Sequence, residues 1–239
     1  MASSYPDWRA LLPAPLRPYA EVPALAAFAF GVSSGFPYAL LAATLTNWLS
    51  ELGIERKSVA LFTLVLLTYN FKVLWAPLVD RLPLPFLSAR LGQRRAWLVL
   101  VAVLLTASLW WLAAADPAHD IRSMALRAIC VGFCGATFDI VIDAFRIELM
   151  AADQQAVGAG MSQYGWRTGA ALASSIVLAV AAASSWQTGY LAASALVLPG
   201  LGAGLWAGEP RRRRVAAPSR SPGAWLRSAL VDPFADFLT

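Results

Sequence analysis

The chain has few charged residues and few of the residue types that carry catalysis in soluble enzymes. Of its 239 residues only 14% are charged, two are cysteines and one is a histidine, whereas a soluble domain carries about 25% charge. Cys130 and Cys134 are four residues apart on one helix face, so we predict neither a disulfide nor a metal site. We find no P-loop, dinucleotide fingerprint or nucleophile elbow, and therefore expect no cofactor and no enzymatic activity.

Long apolar runs take the place of charge. The chain is 59% hydrophobic and its mean hydropathy is +0.59. Apolar runs of about 20 residues are long enough to cross a bilayer as helices, and the lipid environment requires closed backbone hydrogen bonding. We therefore predict an all-α membrane protein with six transmembrane helices. The predicted spans are Val22–Leu45, Val59–Val79, Ala96–Ala115, Ser123–Ile142, Val157–Ala183 and Trp186–Ala207.

The basic residues outside the spans are distributed unequally between the two sides of the membrane. The side of the N-terminus receives thirteen and the other side three, which predicts that both termini are cytoplasmic. The net charge of +5 does not indicate a nucleic-acid partner, because the arginines lie in loops between apolar spans. The larger group is Arg9, Arg17, Arg81, Arg90, Arg94, Arg95, Arg146, Arg211, Arg212, Arg213, Arg214, Arg220 and Arg227, and the smaller is Arg56, Lys57 and Arg122.

Composition divides the chain into three parts. Residues 1–21 hold four prolines and mixed charge, which is typical of a cytoplasmic N-terminal segment. Residues 22–207 form the predicted six-helix domain. Residues 208–239 begin as a basic linker rich in Pro and Ser, and continue into Ala224–Leu238, a mildly amphipathic segment that is expected to lie on the membrane surface.

Three ionisable residues interrupt the apolar spans: Lys72, Asp139 and Arg167. A charge at membrane depth costs at least about 2.5–3.5 kcal/mol unless it faces a partner or a polar cavity. Three such residues with both signs of charge predict a polar pathway through a helix bundle, as in a carrier or a channel. A purely structural ion network is the alternative.

Asp139 and Asp143 share a face of the fourth span because they are four residues apart. A carboxylate inside a membrane domain is a candidate for proton exchange, and Asp139 is the better candidate because it is deeper. Asp143 could instead pair with Arg94 or Arg95 across the loops. We expect Glu148 to be an ordinary loop charge.

Two further features concern packing. Pro37, two residues after Gly35, should break or kink the first span. Gly165 and Gly169 form a GxxxG pattern, which is typical of closely packed membrane helices.

Several motifs together resemble a known family. In the loop between spans 2 and 3, Asp80, Gly92, Arg94 and Arg95 resemble the signature loop of the major facilitator superfamily. GVSSGFPYAL in span 1, FKVLWAPLVDR in span 2, FDIVIDAFRIEL in span 4 and YGWRTG in span 5 resemble, in order and spacing, the AmpG muropeptide permease family of that superfamily.

The resemblance implies the N-terminal six-helix half of a carrier, with a second six-helix half as its partner. The activity that it implies is proton-driven import of anhydro-muropeptides across the bacterial inner membrane, for cell-wall recycling. Another carrier of the superfamily, such as one for acetyl-CoA, and a non-transporting six-helix protein are the alternatives.

The remaining site residues are candidates for binding that substrate. Lys72 and Arg167 are predicted at similar depth, about 12–15 Å from the cytoplasmic boundary, with Asp139 about one turn nearer the cytoplasm. The two cations could bind substrate carboxylates or keep the aspartate ionised. Tyr164 and Trp166 could stack on sugar rings or pack in the core.

Overall fold

Six long helices make up most of the part of the chain that the structure describes. A computed structural model describes residues 12–210, and all the regular structure within that range is helical. Six helical segments are long and apolar enough to cross a membrane, which confirms the predicted fold class. The basic tail, including Ala224–Leu238, and residues 1–11 lie outside the described residues. The spans are α1 (Val22–Glu51), α2 (Arg56–Leu74), α3 (Gln93–Ala113), α4 (Ile121–Leu149), α5 (Ala152–Ala183) and α6 (Trp186–Ala207).

Two helices extend past the ends expected from hydropathy. α1 continues beyond Leu45 to Glu51, and α4 continues beyond Ile142 to Leu149. The extra turns of α4 carry Asp143, whose carboxylate lies near Arg146 of the same helix and near Lys72 of α2, as described below. Hydropathy predicts that the helix ends before such turns, because it counts the charged residue but not the partner that neutralises the charge.

Helix α1 is the central element, and it lies closest to α5. In its most apolar stretch 78% of the residues are buried. A second GxxxG pattern, Gly31 and Gly35, faces Gly165 and Gly169 of α5, so backbone meets backbone: a Cβ added to Gly35 would overlap the carbonyl of Trp166. The predicted packing role of Gly165 and Gly169 is thus confirmed. Close approach supplies the van der Waals contact that holds helices together in lipid.

Pro37 does not break α1. The segment is α-helical to Ala39, forms a π-helical turn over Leu40–Thr44, and is α-helical again to Glu51. The hydroxyl of Tyr190 in α6 donates to the carbonyl of Leu40 at 3.0 Å. A π turn with a buried donor keeps the backbone bonded where an interrupted helix would leave polar groups in lipid.

Helix α2 is interrupted where the sequence predicted continuity to Val79. Its last turn, Lys72–Leu74, is 3-10 helical, and a separate helix then begins at Ala76. Pro77 explains the interruption, because it has no N–H and its ring would clash with the carbonyl four residues earlier. Lys72 therefore lies at the start of an irregular turn.

A side chain of α1 enters the backbone ladder of α6. The buried Ser33 hydroxyl donates to the Leu196 carbonyl and accepts from the Gly200 N–H, both at 2.7 Å. Those two groups are the i and i+4 partners of a regular helix. Pro199, which has no N–H, lies between them. An inserted hydroxyl of this kind is a recognised cause of helix bending.

Helices α2 and α5 form the exposed flanks of the bundle. Only 11% of the most apolar stretch of α2 and 17% of that of α5 is buried, against 78% for α1. The ionisable residues of these two helices therefore lie close to surfaces that the described residues leave uncovered.

Candidate functional site

Asp139 is the meeting point of three helices. Its Oδ2 accepts a hydrogen bond from the Lys72 ammonium of α2 and its Oδ1 accepts one from the Ser34 hydroxyl of α1. The Asp139 side chain is 18% exposed and that of Lys72 is 30% exposed. Lys72 and Asp139 are thus in direct contact. The sequence had placed Asp139 about one turn nearer the cytoplasm than Lys72.

Asp143 lies one turn farther along α4 and extends this cluster. Its Oδ2 is 3.8 Å from Nζ of Lys72 and its Oδ1 is 3.7 Å from a terminal nitrogen of Arg146. The ammonium of Lys72 therefore lies between two carboxylates, and the four side chains carry two charges of each sign. The alternative pairing of Asp143 with Arg94 or Arg95 is not formed.

A polar cavity of about 330 Å³ adjoins the cluster. It offers two carboxylates, hydroxyls, an amide and an indole, which suits a polar solute better than a lipid. The ring of Trp166 lies 5.5 Å from that of Tyr38, which fixes the indole against α1. The lining residues are Ser34, Asp139, Asp143, Ser162, Gln163 and Trp166.

Two predicted substrate residues lie away from this cavity. Tyr164 is 69% exposed, Arg167 is exposed, and neither lines the cavity. Within residues 12–210 the Arg167 side chain makes no hydrogen bond or ion pair. The cause is helical phase: Gly165 and Gly169 face α1, and a residue two positions from each of them points to the opposite side.

Tyr69 is a residue that the sequence analysis missed. Its buried hydroxyl has no hydrogen-bond partner among the described residues. It lies over Gly135, where an added Cβ would overlap that hydroxyl, and its ring meets Tyr38 edge-on at 5.3 Å. Tyr69 precedes Lys72 by three residues and Gly135 precedes Asp139 by four, so this layer lies one turn from the ion pair. The sequence could have indicated Tyr69, because a residue three positions before Lys72 lies on the same face of the helix.

A second charge cluster lies beyond the C-terminal end of α2, around the predicted signature loop. The guanidinium of Arg94 donates to Asp80 at 2.7 Å and to Glu148 at 3.0 Å. The Arg94 side chain is only 10% exposed. The expectation that Glu148 is an ordinary loop charge was wrong, because the extended α4 carries it to Arg94.

Glu209 joins the end of α6 to the start of α3. Its carboxylate accepts from the backbone N–H groups of Arg94 at 2.9 Å and Arg95 at 3.1 Å, where the helix dipole favours negative charge. Gly92 has φ +90, and a Cβ there would overlap the carboxylate of Glu209. The side chain of Arg95 donates in return to the Gly204 carbonyl at 3.2 Å. Glycine is thus favoured here by its backbone angle, and a larger residue would also displace the Glu209 carboxylate.

Comparison with known proteins agrees with this architecture. The BT1 family matches residues 31–231. An Escherichia coli K12 protein named anhydromuropeptide permease is 36% identical over 148 residues, which is 62% of this chain and 29% of that protein. A Rickettsia felis protein named putative transporter AmpG 4 is 36% identical over 142 residues, 59% of this chain and 34% of that protein.

A Rickettsia typhi protein named putative transporter AmpG 3 is 30% identical over 145 residues, which is 60% of this chain and 34% of that protein. The chain thus spans about a third of the length of the curated relatives it matches. These matches confirm the resemblance to the AmpG permeases that the motifs indicated. The family match includes both charge clusters and covers most of a multi-pass helical chain, and the protein therefore belongs to the BT1 family.

Proposed function

We propose that the chain forms half of a proton-coupled carrier that imports anhydro-muropeptides across a bacterial inner membrane for cell-wall recycling. The observation that carries the proposal is the placement of Lys72 between Asp139 and Asp143, beside a polar cavity. The names of the relatives support the substrate. No cofactor takes part.

Asp139 is the proposed proton site. An ionised carboxylate accepts from both Lys72 and Ser34, whereas a protonated one no longer attracts the ammonium. Asp143 is 3.8 Å from that ammonium and is the next available carboxylate. Protonation would then move Lys72 from one carboxylate to the other, and α2 would shift with it relative to α4.

The proposed substrate site is the cavity lined by Trp166, with a sugar ring against the indole. Peptide carboxylates would approach Lys72, which does not line the cavity but contacts the Asp139 carboxylate that does. Arg167 and Tyr164 would join this site from the exposed face of α5 only when another unit covers that face. We propose that this unit is a second six-helix half, since carriers with related repeats bind substrate between the two halves.

The loop cluster has the proposed role of holding the cytoplasmic end closed. Asp80, Arg94 and Glu148 link three helix ends through ion pairs, and Gly92 admits the carboxylate that fixes the start of α3. Rocking of the helices would have to break these contacts.

Uptake by membrane vesicles from cells that express this chain together with a second six-helix half tests the proposal, because the chain alone is not expected to transport. We expect Asp139→Asn to abolish accumulation of labelled anhydro-muropeptide driven by a proton gradient, while exchange of internal for external substrate continues. Asp116→Asn is the control, since its carboxylate is 66% exposed in a loop.

The outcomes separate coupling from substrate. Normal accumulation by Asp139→Asn would contradict the coupling role. Accumulation of acetyl-CoA in place of the muropeptide would support the proposal that the protein is a carrier but would contradict the proposed substrate.

A further inference from the structure

The buried hydroxyl of Tyr69 is a polar group that the proposed proton site does not yet use. It makes no hydrogen bond within residues 12–210. The ring is held edge-on against Tyr38 of α1, with the ring centres 5.3 Å apart, so the side chain is fixed by packing. Buried polar groups are nearly always hydrogen-bonded, and an unbonded one points to a partner that reaches it in another state of the protein.

The geometry of α4 places Asp139 next to this hydroxyl. A helical side chain leans back over the preceding turn, so the carboxyl of Asp139 lies towards Gly135. The Tyr69 hydroxyl lies directly over that glycine, where an added Cβ would overlap it. The charge of Asp139 also acts on the Tyr69 hydroxyl. Because Gly135 has no side chain, nothing on α4 separates the two groups.

The contacts of Asp139 in this structure are those of an ionised carboxylate. Its Oδ2 accepts from Lys72 and its Oδ1 accepts from the Ser34 hydroxyl. Protonation adds a donor to the carboxyl, and that donor needs an acceptor. The ammonium of Lys72 has donors only and cannot supply one, whereas the oxygen of a tyrosine hydroxyl can accept.

We propose that Tyr69 positions the protonated form of Asp139, its oxygen accepting a hydrogen bond from the acid O–H once Lys72 has moved to Asp143. The one covalent bond formed is the O–H of the acid, and the ammonium keeps its charge and its proton. Tyr69 takes up no proton itself. It lies on the side of the ion pair towards the predicted periplasm, from which protons enter during import. This inference rests on the proposed proton site at Asp139.

Charged and titratable groups from three helices surround this carboxyl. Lys72 and Arg146 carry donors only, so neither can accept from the acid. Helix α5 contributes uncharged side chains to the adjoining cavity, namely Ser162, Gln163 and Trp166. Every one of these groups is retained in Tyr69→Phe, so a difference from the unmodified chain reports the hydroxyl alone. The charged and titratable groups are Lys72 of α2, Asp143, Arg146 and Cys134 of α4, and Tyr38 of α1.

Infrared difference spectroscopy of the purified 239-residue chain in detergent tests the role of Tyr69. Acidification should produce a carboxylic-acid carbonyl band that Asp139→Asn lacks. In Tyr69→Phe this band should move to higher wavenumber, because the acid has lost its acceptor. The ratio of protonated to ionised Asp139 at a fixed pH should also fall about fivefold, the factor equivalent to the ~1 kcal/mol of one hydrogen bond. Tyr19→Phe is the matched control and should change neither quantity, since Tyr19 is 43% exposed and precedes α1.

A second measurement needs no change at position 69. In the chain made with isotope-labelled tyrosine, the phenol C–O band of one tyrosine should shift on acidification, and Asp139→Asn should remove that shift. An Asp139 band that Tyr69→Phe leaves in place, or moves no more than Tyr19→Phe does, would overturn the inference while the proton site stands. A tyrosine shift that persists in Asp139→Asn would overturn it too. The lack of any acid band that depends on Asp139 would overturn both the inference and the proton site.

Discussion

Removal of Lys72 should destabilise the protein more than removal of Asp139 does. Lys72→Met would leave Asp139 and Asp143 one turn apart, with Arg146 3.7 Å from Asp143 as the remaining cation. Asp139→Asn would leave the ammonium of Lys72 with Asp143, 3.8 Å away. The two variants break the same contact, but only the first leaves an uncompensated negative charge.

The expected loss of stability for each variant follows from the exposure of the side chains and the distances between their charges. Loss of one partner of a buried pair costs about 3–5 kcal/mol, and two unit charges 4 Å apart interact by about 4 kcal/mol at an effective dielectric constant of 20. Both side chains of the pair are partly exposed, at 30% and 18%, so we expect about 3 kcal/mol for Lys72→Met. Because Asp143 is 45% exposed and its charge is screened, Asp139→Asn should cost about 1–2 kcal/mol.

Thermal unfolding of the chain in detergent measures the difference. Cys130 and Cys134 are partly buried free thiols, so a thiol-reactive dye reports unfolding without added labels. At about 2–4 °C per kcal/mol, Lys72→Met should lower Tm by about 6–12 °C. The double variant Lys72→Met/Asp139→Asn should be more stable than Lys72→Met, because it removes the Asp139 carboxylate that Lys72→Met leaves without a cation. A larger loss for Asp139→Asn, or a double variant equal to the sum of the single losses, would refute the reasoning.

The remaining predictions concern topology, packing and assembly. A membrane-impermeant thiol reagent applied from the periplasm should modify His119→Cys and miss Arg90→Cys; the reverse would overturn the predicted orientation. Gly35→Ala should cost about 1–3 kcal/mol by overpacking against the backbone of Trp166, whereas Gly202→Ala should be nearly neutral because an added Cβ there meets nothing within 4 Å. The chain reconstituted alone in proteoliposomes should show no saturable, gradient-driven uptake, and such uptake would contradict the need for a second half.

The six spans were predictable because membrane crossing depends on summed hydropathy, which is a property of composition. The response of the backbone to proline was not. Pro37 lies within a continuous helix, whereas α2 ends shortly before Pro77. The difference comes from the surroundings. α1 is central and receives the Tyr190 hydroxyl at its π turn, whereas α2 lies on an exposed flank where no side chain among residues 12–210 donates to its last turn. Neither circumstance can be read from the segments themselves.

Only some members of the candidate site could be predicted, and their pairing could be predicted less well. Lys72 and Asp139 were identified because a charged residue in an apolar span can be recognised without knowing which way its side chain points. Arg167 was identified by the same criterion and assigned to the same site from its predicted depth, although the phase of the glycines in α5 directs its side chain to the opposite face. The partner of Asp143 depended on how far α4 continues as a helix, and hydropathy does not determine that distance.

Ser33 and Ser34 give α1 two consecutive hydroxyls with different partners. One is inserted in the backbone of α6 and the other is bonded to Asp139. Consecutive residues of a helix move as one rigid piece, so a turn of α1 that releases the carboxylate also withdraws the hydroxyl from α6. The Leu196 carbonyl and the Gly200 N–H would then be free to bond to each other. We therefore expect a change in the bonding of the Asp139 carboxylate to alter the hydrogen bonding of the α6 backbone at Leu196 and Gly200.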